Sequence, residues 1–375
     1  MTLGPQRQLF DIPPGVAYLN CAYMAPQLRS VTEAGLSAVQ RKSSPWTVPP
    51  SAFFDESERL RSTFASVAGV DADAIALVPS VSYGIGTAVA NVDIAAGQTV
   101  VVLAEQFPSN VYPWRAAAAA SGAEVLTVAR PADGDWTAAV ATAVDERTAV
   151  VAVPQCHWTD GSIVDLVAVG AAAREVGAAL VVDATQSFGA VPFDVAAVQP
   201  DFLVTAGYKW LLGPYSLGYL YVAPHRRDGV PLEHNWITRA GSEDFAALVD
   251  YRDEPAPGAR RYDVGERSNF VLVPMALAAL EQILAWGVPS IAATLADVTA
   301  AIASGAADLG HRSASAAQRG PHLLGLRHPD GVPAGLAARL AEQQIYVSIR
   351  GDSIRVSPHL YNTSDDVSRL LSALA

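Results

Sequence analysis

The feature that most constrains the fold is a series of short apolar segments that alternate with helical segments. Helical patterns at residues 84–92, 112–121 and 164–176 separate several of the apolar segments. Strands joined by helices of this length form a mostly parallel sheet with right-handed crossovers, so the sequence predicts an α/β fold. Ligands of such sheets bind at the carboxyl ends of the strands. The predicted strands are residues 75–80, 99–105, 124–129, 148–155, 179–185, 201–207 and 217–224.

The segments on either side of this series have other patterns. Residues 16–20 read as a short strand or extended arm, and helical patterns follow at 26–42 and 54–68. Regular periodicity fades from Arg226 to Val264, and a long irregular segment inside a compact domain tends to be functional. Helices return at Met275, followed by a small α+β portion. We therefore predict an N-terminal arm that packs with the small domain, a large cofactor-binding domain and a small C-terminal domain, at residues 1–30, 31–275 and 276–375.

Composition restricts the partners and the location. Hydrophobic residues make up 51% of the 375 positions, and the formal net charge of −12 argues against binding to nucleic acid or to an anionic membrane. No uninterrupted apolar run suggests a membrane span, and the first residues lack the pattern of a signal peptide. Two cysteines, Cys21 and Cys156, form no disulfide framework. These features predict a cytoplasmic protein without a nucleic-acid or membrane partner.

Two residues point to a specific chemistry. Asp183 closes the apolar run that begins at residue 179, and Lys209 follows 26 positions later, between an apolar strand and a Gly-Pro turn. A buried lysine can lose its proton and attack an aldehyde, and a carboxylate at a strand end can hold a positive charge. Pyridoxal 5'-phosphate (PLP) needs both groups, because its aldehyde forms a Schiff base with lysine and its pyridine nitrogen must stay protonated. A solvated lysine and a capping or ligand-binding aspartate are the alternatives for each residue alone.

Three further segments follow predicted strands. Ser80, Ser82 and the amides near Val81 lie at a helix start, where they could bind an anion or form an ordinary helix cap. Phe107 offers an aromatic face to a cofactor ring, with polar contacts from the neighbouring Ser109 and Asn110, and the alternative is a proline turn with a core aromatic side chain. His157 and Thr159 could reach the cofactor or its substrate, or His157 could be structural. The sequence shows no convincing metal-ligand spacing and no Ser/His/Asp elbow.

Taken together, these segments resemble the class V aminotransferase superfamily of PLP-dependent enzymes, which have the fold type I architecture. This superfamily contains cysteine desulfurases, kynureninases, isopenicillin-N epimerase-like proteins and several aminotransferases. The resemblance covers nearly the whole chain and rests on the order and spacing of its motifs. These are YLNCAYMAP at 18–26, VVDATQSFGAVPFDV at 181–195, AGYKWLLGPYSLGYLYV at 206–222 and SIRVSPHLYNTSDDV at 353–367.

The resemblance implies a cofactor role for each matching residue. Lys209 would form the Schiff base and shuttle the Cα proton, Asp183 would pair with the pyridinium nitrogen, and Gln186 would hydrogen-bond the phenolic oxygen. Phe107 would stack on the ring, and Ser109 belongs to an FPSN segment similar to one that lines the cofactor in kynureninases. The phosphate would be held by Val81, Ser82 and Tyr208, and the catalytic and cofactor sets also include His157 and Thr159.

The resemblance also implies a substrate and a partner. Arg355 would clamp the carboxylate of an α-amino acid bidentately, and Tyr23 is a further candidate for the substrate site. Trp236 and Asn269 are similar to positions that reach the cofactor across a dimer interface, which implies a homodimer with shared sites. Acids and bases that could select among reactions are Tyr23, His157, His234, Arg239, His359 and Tyr361.

The sequence argues against one type of reaction and leaves several others open. Residues 304–324, where cysteine desulfurases carry a catalytic cysteine, contain none, which argues against persulfide chemistry, although Cys21 could border the substrate site. Transamination is favoured slightly over β-elimination with C–S or C–C cleavage and over epimerisation. A non-catalytic PLP-binding regulator is disfavoured by the intact lysine, aspartate and arginine set. A nucleotide- or metal-binding hydrolase built on Asp183 is disfavoured because a glycine-rich phosphate loop is missing.

Overall fold

A seven-stranded sheet forms the centre of the computed structural model, which describes residues 2–375. Its strands carry almost uninterrupted Val, Ile, Leu and Ala, the composition of strands buried on both faces. The twelve strands of the chain are β1 (Ala17–Tyr18), β2 (Ile75–Val78), β3 (Thr99–Leu103), β4 (Glu124–Val128), β5 (Thr148–Pro154), β6 (Ala179–Asp183), β7 (Phe202–Ala206), β8 (Gly218–Val222), β9 (Leu324–Leu326), β10 (Ile345–Tyr346), β11 (Ser348–Arg350) and β12 (Ser353–Val356).

Helices cover both faces of the sheet and link its parallel strands. They are α1 (Arg29–Arg41), α2 (Asp55–Ala68), α3 (Val81–Val89), α4 (Tyr112–Ser121), α5 (Trp136–Ala143), α6 (Leu166–Glu175), α7 (Val195–Val198), α8 (Leu272–Trp286), α9 (Val288–Asp308), α10 (Leu336–Glu342) and α11 (Ser364–Leu374).

The strand order in the large sheet is β2-β8-β7-β6-β5-β3-β4. β8 runs antiparallel to both β2 and β7, and the neighbouring pairs from β7 to β4 are all parallel. The prediction of a mostly parallel sheet is therefore confirmed. The carboxyl ends of β3, β5, β6 and β7 lie along one edge, which is where a doubly wound fold places its ligands.

Alternate residues of each strand enter two separate cores. Val101 and Leu103 of β3 pack on one face with side chains from α2, α5, α6 and α8. Val100 and Val102 pack on the other face with side chains from α3 and α4. This period of two is the pleat of a strand with both faces covered, and it fixes which strand-end side chains can reach the ligand edge.

Two small sheets lie in the C-terminal portion. β9, β12 and β11 form an antiparallel sheet in the order β11-β12-β9, and β1 from the N-terminal arm pairs in parallel with β10. Leu19 and Ala17 of the arm share a core with Ile354 and Val356 of β12. The arm thus contacts the C-terminal portion, while the domain boundaries at residues 30 and 275 stay predictions. The second boundary falls inside α8.

Local details differ from the sequence reading at two helices. α5 was not predicted, because its sequence WTAAVATA is mostly alanine and valine without a polar face. α3 begins at Val81, three residues before the predicted start, because Ser80 caps it by accepting a hydrogen bond from the Tyr83 amide. This earlier start brings the first turn of α3 to the ligand edge.

The longest helix is also an apolar one. Of the helices in residues 2–375, α9 is long and apolar enough to cross a membrane by length and composition alone. Its Ile291 and Leu295 pack in one buried core and its Ile302 in another. A helix in a protein core passes the same test of length and composition. The apolar character of α9 is therefore only weak evidence for a membrane partner.

Candidate active site

A cavity of about 280 Å³, which we call the inner cavity, lies at the carboxyl ends of β2, β3, β5, β6 and β7. It is the place that the strand topology predicts for a ligand. The residues that line it include eight of the predicted site residues, and these are Val81, Ser82, Phe107, Ser109, Asp183, Gln186, Tyr208 and Lys209.

Lys209 enters this cavity from the tight loop after β7. A Cβ atom on Gly207 would lie 2.9 Å from the Leu217 carbonyl oxygen, so glycine is needed for the loop to fold this closely. The amine Nζ lies 5.4 Å above the centre of the Phe107 ring. Burial, followed by the positive charge of Arg355, lowers the pKa of Lys209 to about 8. A large neutral fraction near pH 8 makes Lys209 suited to attack an aldehyde.

Asp183 is the last residue of β6 and is 6% exposed. The Thr185 amide donates a hydrogen bond to Asp183 Oδ1 at 3.0 Å. Burial raises the pKa of Asp183, while the hydrogen bonds from Thr185 and the charge of Lys209 act in the opposite direction. Asp183 is a carboxylate in a poorly solvated place, which favours a cationic ligand group beside it.

The first turn of α3 forms another side of the inner cavity. Ser80 accepts a hydrogen bond from Tyr83, and its hydroxyl lies 3.1 Å from that of Ser82. The amides of Val81 and Ser82 belong to the helix start, where backbone N–H groups have no partner within the helix. Both residues line the cavity, so this wall can receive an anion such as a phosphate.

Gln186 is held by hydrogen bonds at both ends of its amide. Its Oε1 accepts from Trp210 Nε1 at 2.9 Å, and its Nε2 donates to the Ala22 carbonyl at 3.0 Å. An amide nitrogen carries two N–H groups, so one remains for a ligand in the cavity that Gln186 lines. Tyr208 packs edge-on against Tyr215 with ring centres 4.6 Å apart.

A second space of about 330 Å³, which we call the outer cavity, adjoins the inner one. Arg355 of β12 lines it and is 1% exposed. Its Nη1 donates to the Trp158 carbonyl at 2.9 Å, while its buried Nε and Nη2 have no hydrogen-bond partner among residues 2–375. Nε and Nη2 form one side of the guanidinium fork, the side that binds a carboxylate bidentately. The cavities share Phe107, Trp158, Tyr208, Lys209 and Tyr215.

His157 and Thr159 do not line either cavity. The His157 ring is fully buried and stacks on Trp136, with ring centres 5.5 Å apart. Its Nε2 lies 3.1 Å from the Ala104 carbonyl and therefore donates, which leaves Nδ1 to accept from the Thr159 hydroxyl at 2.8 Å. Cys156 and Trp158, the neighbours of His157, line the inner cavity instead. The chain bends and turns after β5 and points His157 away from both cavities, and the structure does not support a direct catalytic role for it.

The residues predicted to act across an interface lie away from both cavities of their own chain. Trp236 packs edge-on against Phe54 and Phe245. Asn269 Oδ1 accepts hydrogen bonds from the Val271 and Leu272 amides at the start of α8. Tyr23, by contrast, lines the outer cavity as the sequence predicted. Of the other candidate acids and bases, those outside the two cavities are His234, Arg239, His359 and Tyr361.

The lining residues that sequence reasoning missed include Thr185, Trp158, Tyr215 and Arg350. Thr185 had a readable signal, because it stands two positions after a strand-end aspartate, where an Asx turn forms. Arg350 also had one, since residues 348–350 repeat the Ser-Ile-Arg triplet of 353–355. Trp158 and Tyr215 had no signal that separates them from core aromatic residues.

The sequence of the chain matches the model of the aminotransferase class-V family over residues 50–370. The chain belongs to this family. Among curated proteins, it is 29% identical over 325 residues to the uncharacterized aminotransferase YcbU of Bacillus subtilis, with 86% of this chain and 84% of YcbU aligned. It is 29% identical over 276 residues to kynureninase of Deinococcus radiodurans, covering 70% of this chain and 64% of that protein.

Solved structures show the fold of this class-V family member. The cysteine desulfurase of Thermococcus onnurineus, in its apo form, superposes with a TM-score of 0.85 at 19% identity, covering 99% of this chain and 98% of that one. A K223A variant of C-DES, which holds glycine linked covalently to its PLP cofactor, superposes with a TM-score of 0.87 at 20% identity over 99% of each chain. The predicted PLP-dependent transferase fold type I is confirmed.

The predicted cofactor, PLP, agrees with the class-V family assignment, and the residues of the inner cavity fit it. Lys209 supplies an amine of lowered pKa, and Asp183 supplies a carboxylate for a ring nitrogen. Val81 and Ser82 supply helix-start amides for a phosphate, and Phe107 supplies an aromatic face. The four groups belong to four separate chain segments that meet only in the folded protein.

Proposed function

We propose that this chain is a PLP-dependent aminotransferase acting on an α-amino acid. The observation that carries the proposal is that Lys209 and Arg355 line the same outer cavity, Arg355 with two buried N–H groups that have no partner in residues 2–375. An amino acid bound by its carboxylate at Arg355 would present its amino group and Cα towards the inner cavity. Both ends of the substrate are thereby fixed before any bond changes.

The inner cavity would hold the cofactor, which when bound supplies an aldehyde for amines and an electron-withdrawing ring. Asp183 would lie against the ring nitrogen and keep it protonated, because a buried carboxylate stabilises a cation beside it. The amides of Val81 and Ser82 would hold the phosphate. The free N–H of Gln186 would donate to the phenolic oxygen, and Phe107 would cover one ring face.

Lys209 would also move the substrate proton. Its pKa of about 8 places its neutral and protonated forms within reach of each other near neutral pH, as a general base and acid requires. Transamination needs one group that removes a proton at one carbon and returns it at another, and an amine on a flexible stem can reach both. Lys209 supplies the amine among the side chains that line the outer cavity.

Neither cysteine supports sulfur transfer. Cys21 and Cys156 are both buried, and burial raises the pKa of each thiol. A nucleophilic cysteine needs a lowered pKa, and these thiols have the opposite shift. Together with the aminotransferase description of YcbU, this favours transfer of an amino group over desulfuration.

The test is a single turnover of PLP-loaded protein with a panel of amino acids. The expected result is one equivalent of keto acid per site, with the cofactor converted to its amine form. Release of ammonia with pyruvate or sulfide would identify a β-eliminating lyase, and exchange of the α-proton with inversion would identify an epimerase. A protein that binds PLP and reacts with none of the amino acids would be a binding or regulatory protein. Each of these three outcomes would overturn transamination.

The assembly is also a proposal: a homodimer in the cytoplasm with sites shared across the interface. In its favour, Trp236 and Asn269 lie outside the cavities of their own chain. Trp236 is 39% exposed and sits beside the exposed side chains of Phe245 and Tyr251. An exposed aromatic group of this kind is typical of a protein interface.

A further inference from the structure

The register of one hairpin brings a second arginine to the outer cavity. Arg350 pairs with Ser353 and Ser348 pairs with Arg355 in the antiparallel pair of β11 and β12. Paired residues point to the same face, so Arg350 and Arg355 are diagonal neighbours on one face of the hairpin. Ile354, on the opposite face, is buried in the C-terminal core. The pairing of the two strands thus presents two guanidinium groups together.

Trp158 lies against both cations. The guanidinium carbon of Arg350 is 5.5 Å from the centre of the Trp158 ring, and that of Arg355 is 5.9 Å from it. Planar guanidinium groups stack well on aromatic rings. Trp158 therefore holds both side chains at the wall of the outer cavity, which all three residues line.

In residues 2–375, no carboxylate forms a salt bridge with Arg350. Its Nη1 donates to the neighbouring Ile349 carbonyl, and its buried Nε has no hydrogen-bond partner in residues 2–375. Asp352, at the tip of the same hairpin, accepts instead from Arg327 Nε at 2.9 Å. Of the side chains that line the outer cavity, three are cationic, Lys209, Arg350 and Arg355, and none is a carboxylate.

This surplus of positive charge is unfavourable while the cavity holds no anion. Burial lowers the pKa of Arg350, and burial together with the charge of Arg350 lowers the pKa of Arg355 to about 9. Like charges close together in a poorly solvated place repel each other. An anion bound between them would gain charge-assisted hydrogen bonds from both.

We propose that the substrate is an α-amino acid that carries a second anionic group on its side chain, and that Arg350 binds this group while Arg355 binds the α-carboxylate. The inference rests on the proposed function for the role of Arg355. It adds the class of substrate, which includes dicarboxylic amino acids and their sulfinate or phosphonate analogues. A neutral amino acid of the same shape would leave Arg350 unpaired.

The cofactor phosphate is the competing partner for Arg350, and the position of Arg350 argues against it. The helix-start amides of Val81 and Ser82 line the inner cavity, whereas Arg350 lines only the outer one. The two anion sites thus lie in different cavities, and Lys209 lines both of them. Arg350 is thus placed on the substrate side.

The first experiment measures binding without any reaction. Isothermal titration of the PLP-loaded protein would compare succinate with butyrate, which have the same carbon chain and differ in one carboxylate. Succinate should bind at least about tenfold more tightly, the usual range for a charge-assisted hydrogen bond. Arg350→Gln should abolish this preference, and Arg350→Lys should keep part of it. Arg312→Gln is the matched control, because Arg312 is exposed and lies outside both cavities.

The second experiment uses isosteric substrate pairs. The ratio of kcat/KM for aspartate over asparagine, or glutamate over glutamine, should exceed about 10 in the wild type and fall at least about tenfold in Arg350→Gln. Equal binding of succinate and butyrate, a wild-type preference for the amides, or loss of PLP in Arg350→Gln with the succinate preference unchanged would each overturn the proposal. Failure of the transamination assay with the succinate preference intact would sink the proposed function and leave the dianion site standing.

Discussion

Charged neighbours of Lys209 act on its pKa in opposite directions. Arg355 lowers it and Asp183 raises it, while burial lowers it most. The net result is a pKa of about 8 for the Lys209 amine, below its usual value of 10.5. At the scale of single residues, the site is therefore defined by which charges the fold places beside this lysine.

The uptake of PLP by the apoprotein should follow the titration of Lys209. Only the neutral amine attacks an aldehyde, so the rate should rise with pH and level off above about pH 8. Arg355→Gln removes a cation, which should raise the pKa of Lys209 and shift the midpoint to higher pH. Stopped-flow absorbance measures the rate, with Arg312→Gln as control. A wild-type midpoint near 10.5 would contradict the assigned environment.

Asp183→Asn should separate cofactor binding from catalysis. The amide keeps the size of the side chain and loses its charge, so PLP should still bind while the ring nitrogen loses its proton. We expect a fall in kcat on the order of 10²-fold or more, as when one preorganised electrostatic partner is removed. Cofactor content and single-turnover rates measure the two effects. Asp165→Asn, which keeps a capping side chain on α6, is the control, and near-normal turnover in Asp183→Asn would refute the role.

Buried ion pairs of Asp263 connect the secondary-structure elements around the site. Asp263 lies in the irregular segment before α8 and accepts hydrogen bonds from Arg61 of α2 and from Arg267. The shortest hydrogen bond from each arginine to Asp263 Oδ2 is 2.6 Å long. Asp263 also accepts from the Leu77 amide of β2 at 2.7 Å. Asp263 thus joins the edge strand β2, which leads into the phosphate-binding turn, to a helix and to the long irregular segment.

Asp263→Ala should destabilise the whole protein. It leaves the buried Arg61 and Arg267 with Glu58, a partly exposed carboxylate, in place of the fully buried Asp263, and breaking a buried pair in this way costs about 3–5 kcal/mol. Urea unfolding followed by circular dichroism measures the change in the free energy of unfolding. Asp228→Ala is the control, since Asp228 is almost fully exposed in its pair with Arg261 and should change stability by less than about 1 kcal/mol. Equal losses in the two variants would remove the structural role of Asp263.

Several large apolar side chains are exposed on the molecule. Tyr251, Trp46 and Val249 are 97%, 81% and 77% exposed, and Leu36 and Val39 of α1 are exposed as well. Exposed apolar groups mark a protein interface where they form a contiguous patch, as Trp236, Phe245 and Tyr251 do near one another. They are consistent with the proposed homodimer.

Mixing of two inactive variants tests the shared site. Lys209→Ala removes the amine, and Asn269→Asp removes an amide N–H while a carboxylate can still cap α8. If Asn269 reaches the partner's site, a mixed dimer has one site with both defects and one with neither. Refolding the two together should then restore about a quarter of wild-type activity, because half of the dimers are mixed. A fully active monomer by light scattering, or no gain on mixing, would reject shared sites.

The sequence alone determined the fold class and the residues at the carboxyl ends of the strands. Continuous apolar runs mark buried parallel strands, and the topology then places Asp183 and Lys209 on one edge whatever the details of packing. Local patterns failed where they carried little information. The alanine-rich α5 has no polar face, and the direction of β8 depends on which strands it pairs with.

Only the tertiary structure decided which way side chains face and which distant residues meet. The bend and turn that follow β5 place Cys156 and Trp158 at the inner cavity and His157 against Trp136. The register of β11 against β12 sets Arg350 beside Arg355. The first outcome depends on packing between segments far apart in sequence. The second depends on strand register, because a shift of one residue would turn every side chain of a strand to the other face. The chemistry of the lysine could thus be read from the sequence, and the substrate class that we infer depends on the fold.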